Sequence, residues 1–194
     1  MNHGCSTTIP IPNGKVRNGT RTFLLVRRKH AWAEQGWKPW LLFFPDSRVI
    51  VHKEFVPPGQ TVNHAFYKVV LERLRKLVQR VRRDIADDWV LQHDNAPAHT
   101  AHAIREFLAK KNIPVIPPPP YSTDLAPCDF YLFPKLKSKL NGHHSGTMEN
   151  IQKIVTDELN TLTENDFQYC YDQWKKRWNH CVTSQGSYFE GDNW

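Results

Sequence analysis

The run Trp89-Val90-Leu91-Gln92-His93 limits the possible folds more than any other stretch of the chain, because it leads straight into a carboxylate, a turn and a helix. It is short, apolar and rich in strand formers, so it predicts a buried strand, and it delivers Asp94 at its carboxyl end. Asn95-Ala96-Pro97 then turns the chain, and Thr100 to Lys111 keeps Ala103, Ile104, Phe107 and Leu108 at helical spacing. Val115-Ile116 predicts a second short strand before Pro117 to Pro120 stop regular structure. Strand, helix, strand is the unit of an α/β sheet, and open sheets of that kind place their sites at the carboxyl ends of central strands.

The flanking segments agree with that class. Thr22 to Val26 predicts a short strand, and Leu41 to Phe44 with Val49 to Phe55 predicts an antiparallel hairpin turning at Pro45-Asp46-Ser47-Arg48. From Val62 to about Arg83, apolar residues at Val62, Phe66, Val69 or Val70, Leu74, Leu77 or Val78 and Val81 predict a long amphipathic helix closed by Asp84 to Asp88. Helices are expected over Cys128 to Leu140, Met148 to Leu162 and Glu164 to about Val182. Residues 1–20 are rich in Gly, Pro, Asn, Ser and Thr without period and are expected to form a loose tail, leaving 21–194 as one domain.

Thirty-four residues separate Asp94 from Asp129, the carboxylate in Leu125-Ala126-Pro127-Cys128-Asp129-Phe130. Two carboxylates make half of a site for a hard divalent cation such as Mg²⁺ or Mn²⁺, which keeps room for phosphate oxygens. Asp94 also suits a plain helix cap, since Asp-Asn-Ala-Pro is an ordinary turn before a helix. His93, His99 and His102 lack a cysteine partner and a zinc-like spacing. Asp124, beside Ser122 and Thr123, reads as a turn residue, and Trp174 and Trp178, four apart, read as packing residues.

Several blocks in order carry a family resemblance: Phe55-Val56-Pro57-Pro58-Gly59-Gln60-Thr61-Val62, His93 to His99, Pro120-Tyr121-Ser122, Asp124 to Asp129, and Tyr188 to Asn193. Over about four-fifths of its length the chain resembles the catalytic domain of mariner transposases, a branch of the DDE/D enzymes. The resemblance implies an RNase H-like α/β fold of the DDE transposase/integrase kind, with Asp94 and Asp129 as catalytic metal ligands for Mg²⁺ or Mn²⁺. His93 and Asn95 would flank that site, orienting ligands or touching substrate. DNA cleavage and strand transfer in transposition is the implied ancestral reaction, DNA the implied partner, and a homodimer an assembly the family allows.

Departures from the pattern shape the functional expectation. A two-ion mechanism needs a third acid shared between the ions, and the family's first-strand aspartate, in an Asp-Glu-Thr-Trp-like context, has no counterpart here. The acids before Asp94 are Glu34, Asp46, Glu54, Glu72, Asp84, Asp87 and Asp88; Glu54 and Asp46 are the first to consider as substitutes. The first strand is thus expected to be lacking or altered, the helix-turn-helix modules to be missing, and Thr123 stands where the family has proline. The expectation is a truncated, inactive catalytic domain whose metal site is not expected to be filled. The alternative is a domesticated, non-catalytic DNA-binding or interaction module; a third reading is an inert product.

A net charge of +7 and a pI near 9.3 suit a polyanion. The cations expected to contact nucleic acid are Arg73, Lys76, Arg80 and Arg83 on the long helix and Lys135, Lys137 and Lys139 after Asp129. Cys5, Cys128, Cys170 and Cys181 form no CxxC pair and predict reduced thiols. Without a signal peptide or a run of about 18 apolar residues, a nuclear protein made in the cytosol is expected, acting on neither membrane nor small-molecule substrate.

Overall fold

A computed structural model describes residues 21–24, 26–29, 40–116, 125–140 and 147–184. The N-terminal twenty residues, the proline run, Asp124 and the terminal Tyr188 to Asn193 block lie outside the described residues.

Strand β3 (Trp40–Pro45) is buried on both faces, which is why its sequence is continuously apolar rather than alternating. Leu42 and Phe44 point into one cluster and Leu41 and Phe43 into another. The hairpin partner β4 (Ile50–Phe55) pairs antiparallel with it, Leu42 opposite Glu54, as expected from the sequence. At the turn Asp46 accepts from the backbone N–H of Arg48 at 2.6 Å and of Val49 at 2.7 Å.

Beyond β4, Gly59 (φ 77°) follows Pro58 in a turn closed by Gln60 N–H donating to Pro57 O at 3.1 Å. Proline then glycine at the two central positions is what a type II turn requires. The turn leads into helix α1 (His64–Val81), capped by the Asn63 side chain accepting from Phe66 N–H at 2.9 Å. Tyr67, Val70, Leu71, Leu74 and Val78 form its buried stripe against Leu42 and Phe44. A 3-10 turn, Arg83–Ile85, ends it. Here Arg82 forms a buried ion pair with Asp46 and two 3.2 Å bonds to Asp84, tying the hairpin turn to the end of α1.

Strands β5 (Trp89–Gln92) and β6 (Val115–Ile116) run parallel, with helices α2 (Pro97–Thr100) and α3 (His102–Lys110) between them. The sequence predicted a single helix from Thr100. Instead the helix begins three residues earlier, on Pro97, whose fixed φ suits a first helical turn, and breaks at Ala101, where ψ is 144°.

Two short strands, β1 (Arg21–Leu24) and β2 (Val26–Lys29), stand where one was expected. β1 pairs parallel with β5, and β2 antiparallel with β3. The described strands form two three-stranded sheets, β1-β5-β6 and β2-β3-β4.

On the other face lie α4 (Phe133–Leu140), α5 (Met148–Asn160) and α6 (Glu164–Thr183). They pack Leu136, Ile151, Val155, Leu159 and Phe167, with Leu132 from the turn before α4, on Leu41 and Phe43. The predicted helix from Cys128 starts as a π-helical turn, Cys128–Leu132, with Phe133 N–H donating to Cys128 O. Pro134 has no N–H to offer in the next position, so the wider turn absorbs the missing bond. No described helix is long and apolar enough to cross a membrane.

Replacing Phe44, fully buried, by alanine should cost about 3–5 kcal/mol in urea denaturation. Val69→Ala on the exposed face of α1 should stay within about 0.5 kcal/mol. Arg82→Ala, which strands Asp46 in the interior, should cost about 3–5 kcal/mol in the same assay.

Candidate functional site

Asp94 stands two residues past the end of β5, with its side chain 45% exposed. Its Oδ1 accepts from Ala96 N–H at 3.0 Å, closing the turn, and from His99 Nδ1 at 2.5 Å. Asp94 thus closes a turn and is not the helix cap considered from the sequence, because the N-cap of α2 is Ala96 and no side chain caps it; His99 also engages the carboxylate. His99 is fully buried, and its ring lies 4.1 Å from that of Tyr67 and 5.4 Å from that of His93. Tyr67 Oη and His93 Nδ1 share a 3.0 Å hydrogen bond. Burial, followed by the neighbouring His99, depresses His93 to about 4, against a smaller opposing pull from Asp94, so its ring is neutral near pH 7. Burial likewise pushes the Tyr67 hydroxyl well up.

This buried Tyr67, His93 and His99 stack was not foreseen. His99 was visible in its run but had no assigned role, and Tyr67 lies 26 residues upstream of His93 on another element. The stack supplies a supporting layer beneath the turn that presents Asp94 and Asn95, and Asn95 itself is exposed.

Asp129 sits in the π-helical turn, half-buried, its N–H donating to Ala126 O at 2.8 Å. Helix α6 clamps this turn at several points. Trp174 Nε1 donates to Leu125 O at 3.0 Å, and the Arg177 guanidinium lies 4.3 Å over the Phe130 ring. Tyr131 Oη donates to Asp166 at 2.7 Å, and Cys170 Sγ lies 3.8 Å from Pro127 O. Trp174 and Trp178 are buried, edge to face at 6.2 Å, as the packing reading expected. Burial raises the thiols of Cys128 and Cys170, the latter to about 12, so neither is a ready nucleophile.

The two candidate ligands thus arrive from opposite layers, Asp94 ahead of α2 and α3 and Asp129 ahead of α4. Among the described residues no group of three His, Cys, Asp or Glu side chains could hold a metal ion. β1, which pairs with β5, and β2, which pairs with β3, contain no acid. The proposed substitutes are engaged elsewhere: Asp46 with its turn and Arg82, Glu54 with His52 at 3.2 Å and with Arg73. Glu54 is also on β4, which is not in the sheet of β5. Two ions acting as a clamp lie only about 4 Å apart. The described donor set does not fit a two-ion centre.

Of the expected nucleic-acid contacts, Lys76 and Arg80, one helical turn apart, are exposed, as are Arg83 and Lys137. Arg73 is also exposed but engages Glu54. Lys135 is turned onto Asp166 at 2.8 Å, and the side chain of Lys139 lies outside the described residues.

No protein-family model matches the chain. It is 33% identical over 159 residues to the Mariner Mos1 transposase of Drosophila mauritiana, covering 80% of this chain and 46% of that protein. To the human histone-lysine N-methyltransferase SETMAR it is 27% identical over 143 residues, covering 73% of this chain and 21% of that protein. The chain therefore spans less than half the length of either curated relative. Among solved structures, the catalytic domain of Mos1 mariner transposase superposes with a TM-score of 0.79 at 30% identity, covering 87% of this chain and 84% of that one. A Mos1 catalytic domain with raltegravir and Mg gives the same TM-score, 0.79, and identity, 30%, over 87% of this chain and 85% of that one. A pre-cleavage Mos1 transpososome gives 0.76 at 28%, over 89% of this chain and 57% of that one.

Asp166 caps α6 and binds Tyr131, so its charge supports the Asp129 turn. Hydrogen bonds from Lys135 first, then from the Thr163 backbone and from Tyr131, hold its carboxyl below the ordinary 3.8. A depressed carboxylate stabilises the fold above its unfolded value and loses that contribution as pH falls through the folded one. Asp166→Asn should lower the melting temperature at pH 7, and the gap to wild type should shrink as the buffer is taken below about pH 4. Thermal melts from pH 7 to 3 check this; a constant gap throughout would contradict it.

Proposed function

The chain belongs to the mariner transposase family, as a homologue of its catalytic domain, and from that premise we propose that it binds DNA through charge and does not cut it. The observation that carries this reading is the absence of any acid on β1, the strand that pairs with β5 just ahead of Asp94. In this reading Asp94 and Asp129 are the inherited ligand positions. Mg²⁺ or Mn²⁺ is the ion of the ancestral site. With one shared carboxylate missing, in-line displacement at a phosphodiester loses the fixed geometry that lowers its barrier.

What this chain's own residues do is hold and attract. His99 and the Ala96 N–H keep the Asp94 carboxylate oriented, and α6 keeps the Asp129 turn in place. The exposed Lys76, Arg80, Arg83 and Lys137 meet the phosphate backbone of DNA in a nucleus. A domesticated DNA-binding module shares this behaviour, whereas an inert product would show none of it.

Purified protein incubated with supercoiled plasmid in Mg²⁺ or Mn²⁺ should leave it unnicked, matching an Asp94→Ala control. Metal-dependent nicking lost in that control would overturn the reading. DNA binding should be weak and sequence-tolerant, falling steeply between 50 and 200 mM salt as counterions are released. A titration that finds strong preference for one sequence at physiological salt would count against it.

A further inference from the structure

Tyr169, on α6, is the one aromatic ring among the described residues left mostly in water, 55% exposed. It leans on Tyr131 of the π-helical turn, with ring centroids 5.7 Å apart and planes inclined at 51°. Tyr131 is itself fixed in place. Its hydroxyl donates to Asp166 Oδ1 at 2.7 Å, Lys135 donates to the same oxygen at 2.8 Å, and the Lys135 ammonium lies 5.8 Å from the centre of the Tyr131 ring. An exposed ring resting on such a base has little side-chain freedom left to lose on binding.

The charges along this helix favour a polyanion. All three acids of α6 are paired with cations: Glu164 with Arg48 at 3.4 Å, Asp166 with Lys135 at 2.8 Å and Asp172 with Lys175 at 2.7 Å. Lys176, seven residues after Tyr169 and so on the same face about 10 Å along the helix, is exposed and balanced by none of them. We propose that this face of α6 binds single-stranded DNA, one unpaired base stacking on Tyr169 and the adjoining backbone lying along Lys176. In a duplex both faces of an interior base are covered by its neighbours, so a lone ring on a helix surface can stack only on a base that is out of the helix. Such stacking tolerates any sequence, because every base has a π face. The inference rests on the DNA-binding reading above and adds the strandedness of the DNA and a second place of contact.

The test is fluorescence anisotropy of the full chain over a range of salt with three labelled probes: oligothymidylate, an abasic deoxyribose-phosphate oligomer of the same length, and a random-sequence duplex. Wild type should bind oligothymidylate about 5- to 150-fold more tightly than the abasic oligomer, the fold-change of one stacked base. Tyr169→Ala should remove that difference and leave the abasic and duplex affinities unchanged, whereas Tyr169→Phe should retain it. Lys176→Gln should reduce the single-strand slope of log affinity against log salt by about 0.7. Both side chains are exposed, so neither change disturbs the core. Oligothymidylate bound no better than the abasic oligomer, unaltered binding by Tyr169→Ala, or a dimer of the chain that Tyr169→Ala dissociates would overturn the inference while leaving duplex binding intact. Wild type that binds none of the three probes at any salt would instead overturn the reading on which it rests.

Discussion

Burial of β3 on both faces is the constraint on which the rest of the domain depends. Four consecutive apolar residues, Leu41 to Phe44, alternate between two clusters because successive strand side chains point to opposite faces. Each face then needs a helical layer to exclude water. The layer with α1 and α3 covers Leu42 and Phe44, and the layer with α4, α5 and α6 covers Leu41 and Phe43. The candidate carboxylates are by-products of that arrangement, one leading into each layer.

The two layers hold their carboxylates in different ways. Under Asp94 the support is a buried ring stack, in which a neutral His93 and a fully enclosed His99 make the turn rigid through packing and one short hydrogen bond to the carboxylate. Around Asp129 the support is a set of polar and aromatic contacts from one helix face, running from Asp166 to Arg177. A carboxylate at a strand end needs opposite charge nearby. Here the Asp94 carboxylate is engaged by the Ala96 N–H and by the His99 ring.

Much of the element order was legible from periodicity. The hairpin, the β5 strand, the amphipathic α1 and the three C-terminal helices all have runs long enough for a period of 2 or 3.6 to show. The interruptions were not. The break at Ala101 and the π-helical turn at Cys128 each span only a few residues, too few for either to show in a hydrophobic period. Tyr67 offered no local signal, since at helical spacing it looks like any other core residue of α1.

The sequence by itself determined the fold class and the family, because blocks such as His93 to His99 and Leu125 to Phe130 keep their spacing whatever surrounds them. It also determined that the first strand carries no acid, which is a matter of composition alone. Only the tertiary structure decided what lies beside Asp94. Strand pairing joins residues that are about seventy positions apart in the chain, Leu24 with Gln92, and no local pattern encodes which strand will lie next to which. It likewise decided that Asp46 and Glu54 are unavailable as substitute ligands, because an acid is committed by the cation that folding brings to it, here Arg82 and Arg73.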